Sequence, residues 1–220
     1  MCGIFAYAGT ENAVPLLIEG LRSVEYRGYD SAGISVIDSS GEIQTVKRGD
    51  HKASLENLAV AAGESQLSGV VGIGHTRWAT HGEVNQQNSH PHASSDGSVS
   101  IAHNGIIENF IELKDQLVDS GFEFKSETDS EVLAHLVGNR VAAGSSLREA
   151  VIGAAGQIKG NTAIVAVSKA EPDVVVGLRV GNAGGIVVGK SDHAAVMASD
   201  TIALLPYTSE VIYLEPGEVV

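Results

Sequence analysis

The chain has a single cysteine, at position 2 of 220 residues. Disulfide frameworks and multi-cysteine zinc sites both need more than one thiol, so both are excluded, and a reducing compartment is the natural setting. Basic residues are also scarce. Fourteen Lys and Arg stand against 27 Asp and Glu, a formal charge of −13. Nucleic acid and anionic membrane surfaces select for basic patches, so neither is expected as a partner. No run of 18 apolar residues occurs, which excludes a spanning helix from the expectation. The first residues lack a basic region, and Glu11 and Pro15 interrupt the apolar stretch, so no signal peptide is read. A cytoplasmic protein is expected. Aromatics are few, at 5%.

What is present is globular. Hydrophobic residues make up 43% and glycine contributes 26 positions. A chain of this length buries roughly 70% of its unfolded surface, enough for a core without staples. The chain contains no internal repeat, low-complexity tract or linker, so a single domain over 1–220 is expected.

Periodicity places the elements. Ile4 to Ala8 reads as a buried strand and Asn12 to Val24 as a helix, with Val14, Leu17, Leu21 and Val24 on one face. Residues 25–33 read as a loop, and 33–38 with 43–48 as a hairpin. Lys52 to Ala62 reads as a surface helix. Residues 69–83 begin as a buried strand and run into a polar loop. Residues 98–110 read as strand, tight turn and helix, ending near Ser120 with Gly121 as cap. FEFKS (122–126) alternates like a strand. Thr128 with Glu131, and Ser146 with Glu149, have capping-box spacing at the starts of two further helices. The last third is strand-rich. The pattern predicts an α+β fold with two sheet-forming regions, one near each end.

Several stretches carry chemistry. Cys2 lies directly behind Met1 and is small enough for methionine removal. Removal would leave a thiol and a free α-amine on one residue. An α-amine has an ordinary pKa near 8, so it can take the thiol proton near neutral pH without a histidine. If Met1 is retained, the α-amine belongs to Met1 and Cys2 lacks that base. A small buried core thiol is the alternative. Asn104-Gly105 signals a tight turn and would serve in a hairpin. The same geometry can aim the Asn104 amide and the Gly105 N–H at one point, as an oxyanion hole. HTRWATHGE (75–83) places Arg77 and Trp78 beside Thr80 and His81. Arg77 can hold a carboxylate through paired hydrogen bonds, and Trp78 can shield a site from water. Asp129 either complements a helix dipole or pairs with an ammonium group. Seven of the eight histidines precede residue 140, including His90 and His92, but their spacing matches no common zinc pattern. No metal is expected.

MCGIF, EYRGYDSAG, HTRWATHG, HPH, HNGIIEN and SETDSE together resemble, in order and at compatible spacing, the motifs of the class II glutamine amidotransferase domain. The resemblance covers nearly the whole chain. EYRGYDSAG and HTRWATHG point to the sugar-phosphate branch, whereas GNAGGIVVGK (181–190) lacks that branch's Ser-Pro. The resemblance implies a four-layer αββα sandwich of the N-terminal nucleophile type and hydrolysis of L-glutamine to glutamate and ammonia. It implies Cys2 as nucleophile, Asn104 and Gly105 as oxyanion hole, Arg77 on the substrate carboxylate and Asp129 on its ammonium. Trp78, Thr80, His81 and His90 would line or close the pocket, with Arg27 under its floor. No cofactor is implied, since the thiol chemistry needs none. Relatives in that branch carry a C-terminal sugar-phosphate isomerase half that uses the ammonia on fructose 6-phosphate, and a full-length protein would be a homo-oligomer. The alternatives are the glutaminase part of another branch, such as an amidophosphoribosyltransferase or asparagine synthetase, and a non-catalytic glutamine-binding module.

Overall fold

A computed structural model describes residues 2–49, 54–79, 82–182 and 184–220. Its strands are β1 (Gly3–Gly9), β2 (Ser31–Ile37), β3 (Ile43–Arg48), β4 (Val71–Arg77), β5 (His92–Ala93), β6 (Val99–Gly105), β7 (Thr162–Ser168), β8 (Glu171–Val180), β9 (Val187–Lys190), β10 (Ala194–Ala198) and β11 (Val211–Tyr213). Its helices are α1 (Ala13–Ser23), α2 (Ser54–Glu64), α3 (Phe110–Asp119), α4 (Ser130–Ala142) and α5 (Leu147–Ala155). Among the described residues, one sheet has the order β11-β9-β10-β1-β4-β2-β3 and the other β5-β6-β7-β8. Every pairing is antiparallel.

The two sheets face each other and helices cover both outer faces, which is the expected αββα sandwich. Strand alternation builds the layers. On β1, Phe5 and Tyr7 point toward α1 and α2, into a core with Leu17, Leu21, Leu55 and Leu58. Ile4 and Ala6 point the other way, between the sheets, with Ile73, Val165 and Met197. Val99, Ile101 and Ile164 of the second sheet pack outward on Leu133, Val137 and Val151 of α4 and α5.

α1 starts as its pattern predicts, with the Asn12 side chain accepting from Val14 N at 3.1 Å. The Ser146–Glu149 capping box forms in full. Other expectations need correction. The two sheet-forming regions are not separate: β10 pairs directly with β1, so the chain's end completes the sheet its beginning opened. A strand buried on both faces has to satisfy both of its backbone edges, and β4 and β10 do so for β1. Residues 25–27 form a short 3₁₀ turn within the expected loop. FEFKS is not a strand. Phe122 and Phe124 instead pack their rings on His135, and the N–H groups of Lys125 and Ser126 donate to the Glu131 carboxylate. That use of Glu131 also removes the Thr128–Glu131 capping box; Asp129 is the N-cap residue of α4 and Thr128 Oγ1 meets His92 Nε2 at 3.0 Å. Asn104 and Gly105 stand on β6, opposite Ala163 and Thr162, rather than in a hairpin turn.

Candidate active site

The site forms where the start of β1 meets the ends of β4 and β6. Gly28 explains how the EYRGYDSAG loop reaches it. A side chain there would collide with the peptide joining Arg77 to Trp78, 2.6 Å from Trp78 N, so only glycine admits this approach. The same loop gives Asp30, whose Oδ2 accepts from Ala79 N at 2.9 Å.

Cys2 sits one residue ahead of β1, partly exposed. Its Sγ accepts from Trp78 N at 3.2 Å. Its carbonyl oxygen accepts from Asn104 Nδ2 at 3.0 Å and from Arg27 Nε at 3.2 Å. Arg27 is in turn 3.4 Å from Asp200 Oδ2, which also accepts from the Tyr26 hydroxyl at 2.7 Å. Burial pushes the Cys2 thiol above its ordinary pKa, while the Trp78 N–H and the charges of Arg77 and Arg27 pull it down.

A chain of buried histidines backs the site. His75 Nε2 is 3.0 Å from Asn104 Oδ1. Because Asn104 Nδ2 donates to Cys2, its Oδ1 must accept, so His75 carries its proton on Nε2. The His75 ring stacks on His90 with centroids 4.1 Å apart, and His90 meets His92 edge-on at 4.6 Å. His90 Nδ1 accepts from the His103 N–H at 3.3 Å. His103 Nδ1 is 2.8 Å from Ser130 Oγ, which donates to Asp129 Oδ1 at 3.3 Å. Asp129 Oδ2 accepts from Ile107 N at 2.8 Å. Burial lowers the pKa of all four histidines, His75 to about 3, so the rings are neutral near pH 7. Among the described residues no three His, Cys, Asp or Glu side chains are arranged to hold a metal ion.

Arg77, Trp78, His90, Asn104, Gly105 and Asp129 line a cleft of about 120 Å³ together with Cys2. The structure therefore gathers these seven sequence-predicted residues. Arg77 is 5% exposed, and its Nη1 donates to the Glu83 carbonyl at 3.3 Å. Trp78 is 46% exposed and stands edge-on to Tyr29, forming the outer wall. Gly105 has φ +133°, a conformation open to glycine, and a side chain there would strike Asn161 O. Arg27 lies behind Cys2 and borders a second opening with Gly184 and Asn182. Thr80 and His81 lie outside the described residues.

Sequence reasoning missed His75, His103, Ser130 and Glu127. His75 was legible in principle, since it shares a strand face with Arg77 two residues on. Glu127 accepts from Asn88 Nδ2 at 2.9 Å and from Glu83 N at 3.3 Å, clasping the segment that follows His81. No local pattern announces that contact.

A four-layer sandwich with a thiol just ahead of a central strand, its residue bonded to the Asn104 amide, has the form of the N-terminal nucleophile type of hydrolase. The model of the glutamine amidotransferase domain matches residues 55–212, and the chain belongs to that family. It is 46% identical over all 220 residues to a glutamine–fructose-6-phosphate aminotransferase of Thermus thermophilus, of which it covers 35%. With the same-named protein of Escherichia coli it is 43% identical over 219 residues, covering all of this chain and 35% of that one. The chain thus spans about a third of the length of these relatives. Among solved structures, a glutamine phosphoribosylpyrophosphate amidotransferase from B. subtilis superposes with TM-score 0.80 at 28% identity, over 99% of this chain and 46% of that one. A glutamine aminotransferase class-II domain protein from Silicibacter pomeroyi shares the fold at TM-score 0.66 and 18% identity, over 99% of this chain and 93% of that one.

Proposed function

We propose that this domain hydrolyses the side-chain amide of L-glutamine to glutamate and ammonia, and that in a longer protein the ammonia aminates fructose 6-phosphate to glucosamine 6-phosphate. One observation carries the reading: Cys2 and Asn104 are joined at the head of a small cleft that has Arg77 on its wall and Asp129 beside it.

In this mechanism Met1 is first removed and the α-amine of Cys2 becomes the base. The Arg77 guanidinium holds the substrate carboxylate and Asp129 its ammonium, which leaves the amide aimed at Sγ. Sγ bonds to the amide carbon as its proton passes to the α-amine. The carbonyl oxygen becomes an oxyanion held by Asn104 Nδ2 and Gly105 N. The C–N bond then breaks, the α-amine returns the proton to the leaving nitrogen, and ammonia departs from a thioester. Water attacks the thioester carbon, giving up a proton to the departing thiolate, and glutamate is released. Trp78 and His90 line the pocket and Arg27 steadies the Cys2 carbonyl, while the resemblance assigns Thr80 and His81 to glutamine binding. No helix of the described residues is long and apolar enough to cross a membrane, in keeping with a cytoplasmic enzyme. The partner in the longer protein is a C-terminal sugar-phosphate isomerase domain, within a homo-oligomer; the identity to the fructose-6-phosphate aminotransferases supports this branch.

Intact mass together with glutamate release from L-glutamine tests the reading. Loss of one methionine, with release abolished by Cys2→Ala, is the expected result. A processed chain that binds glutamine without releasing glutamate would instead make it a binding module.

A further inference from the structure

A second, larger cleft of about 580 Å³ shares no lining residue with the Cys2 cleft. It opens where the edges of the two sheets meet, between β3, β5, α4 and the segment 85–87. That volume lies within the usual range for small-molecule sites. The hydrogen bond between His92 and Thr128 joins its wall to that of the Cys2 cleft.

Lys47 is the inward cation of this cleft, which the buried Glu131 carboxylate also lines. It alternates on β3 with outward Val46, so it shares a face with Ile43, which packs between the sheets. Its stem passes Gly33 on the neighbouring strand, where Cγ lies 3.1 Å from the position a side chain would take. Burial pushes the Lys47 pKa down to about 8, opposed by the field of Glu131. Lys47 has no ion pair among the described residues.

Glu131 cannot swing across to supply one. Its carboxylate already accepts from Lys125 N at 2.8 Å and from Ser126 N and Oγ, both at 2.6 Å. His135 Nδ1 is tied to Ser95 Oγ at 3.1 Å, while its Nε2 is buried without a hydrogen bond among the described residues, 3.6 Å from Glu131. Glu123 and Lys125 at the rim carry opposite charges. The cleft therefore holds a half-buried ammonium on a fixed wall, with Gln86 and Gln87 on the same lining. A half-buried ammonium with no ion pair, beside a cavity of this size, is open to an oxyanion that enters the cleft.

We propose that this cleft binds a small organic anion, with its carboxylate or phosphate group on the Lys47 ammonium and its polar body against Gln86 and Gln87. Lysine suits this role as a compact point charge for an oxyanion. The proposal does not rest on glutamine being the substrate of the Cys2 site.

The test uses the whole chain at constant ionic strength. Inorganic phosphate and acetate are each titrated against chloride, read by melting temperature and by the Lys Nζ resonances of ¹⁵N-lysine-labelled protein. A saturable rise in melting temperature with one anion is expected, together with a shift of one lysine resonance. Lys47→Met is expected to weaken that binding at least tenfold and to remove the shifting resonance, and Gln86→Ala to weaken binding of larger carboxylates or phosphomonoesters. Preference for phosphate would identify a phosphomonoester as the ligand class, and preference for acetate a carboxylate. Equal saturation of wild type and Lys47→Met, or no response beyond chloride with either anion, overturns the proposal. Should Lys47→Met fail to fold, the wild-type lysine resonances decide alone: none shifting means no site.

Discussion

Asn104 donates through Nδ2 to the carbonyl oxygen of Cys2 at 3.0 Å. One end of its amide is thus fixed by the residue it would serve, and the other by His75 Nε2 at 3.0 Å. The amide nitrogen has a second hydrogen, free of this bond, to offer to a developing oxyanion. Preorganisation of this kind costs nothing at the moment of reaction.

Removing the amide has a size. Asn104→Ala is expected to lower kcat for glutamate release by about 10² to 10³, the usual cost of one oxyanion donor. His75→Leu leaves the donor in place but frees its orientation, so a smaller fall of roughly tenfold in kcat is expected, with KM nearly unchanged. Steady-state kinetics of both variants check this. A His75→Leu enzyme with wild-type kcat would show that β6 alone orients the amide.

Cys2 is the chain's sole thiol, so alkylation reports on it without interference. Cys2→Ser is expected to lose about 10³-fold or more in glutamate release. Burial raises the thiol pKa, which disfavours the thiolate at neutral pH. The iodoacetamide rate is therefore expected to climb with pH to a midpoint above that of a free thiol. A midpoint below the free value would show that Arg77, Arg27 and the Trp78 N–H outweigh burial.

Arg77→Lys keeps the charge and loses the planar fork. KM for glutamine is expected to rise roughly 10- to 100-fold, about 1.4–2.8 kcal/mol, with kcat changed far less. A variant that loses kcat at unchanged KM would place Arg77 in the chemical step instead.

The buried histidines make stability depend on pH. His75, His90, His92 and His103 all have folded-state pKa values below the ordinary 6.5, His75 at about 3. Below pH 6.5 the unfolded chain binds protons that the folded chain refuses, so stability rises with pH. The contribution is fully present at pH 7 and is lost as pH falls from 6.5 toward 3, at about 1.4 kcal/mol per pH unit for each proton involved. Guanidinium midpoints at pH 7, 5.5 and 4.5 are expected to fall steadily. A midpoint that holds constant over this range refutes the account.

Far from the site, Ser146→Ala removes the capping box of α5. A loss of about 1 kcal/mol is expected, which lowers Tm by roughly 2–4 °C in a chain of this size. Glutamate release at 25 °C should not change.

That Cys2, Asn104, Gly105 and Arg77 are candidates for one site was legible in the sequence because each stands as a chemically apt residue type in a short motif. The α5 capping box was legible for the same reason, since a cap is closed by residues within one turn. The Thr128–Glu131 box failed under the same rule: Glu131 found better donors in Lys125 and Ser126, and Thr128 found His92, from a segment distant in the chain. FEFKS alternated like a strand but pairs with none, and its two phenylalanines pack on His135 of α4 instead.

The sequence alone therefore determined the layers, through alternation on β1 and three-to-four spacing on α1, and it determined which groups could do chemistry. The tertiary structure decided which of them meet. His75 and Asn104 come from two strands and Cys2 from just ahead of a third, and Asp129 at the start of α4 reaches Ile107 beyond the end of β6. Lys47 and Glu131 share a cleft although 84 residues separate them in sequence. Such contacts are set by strand register and sheet stacking, which are chosen by the whole core at once, and no window of the sequence holds that information.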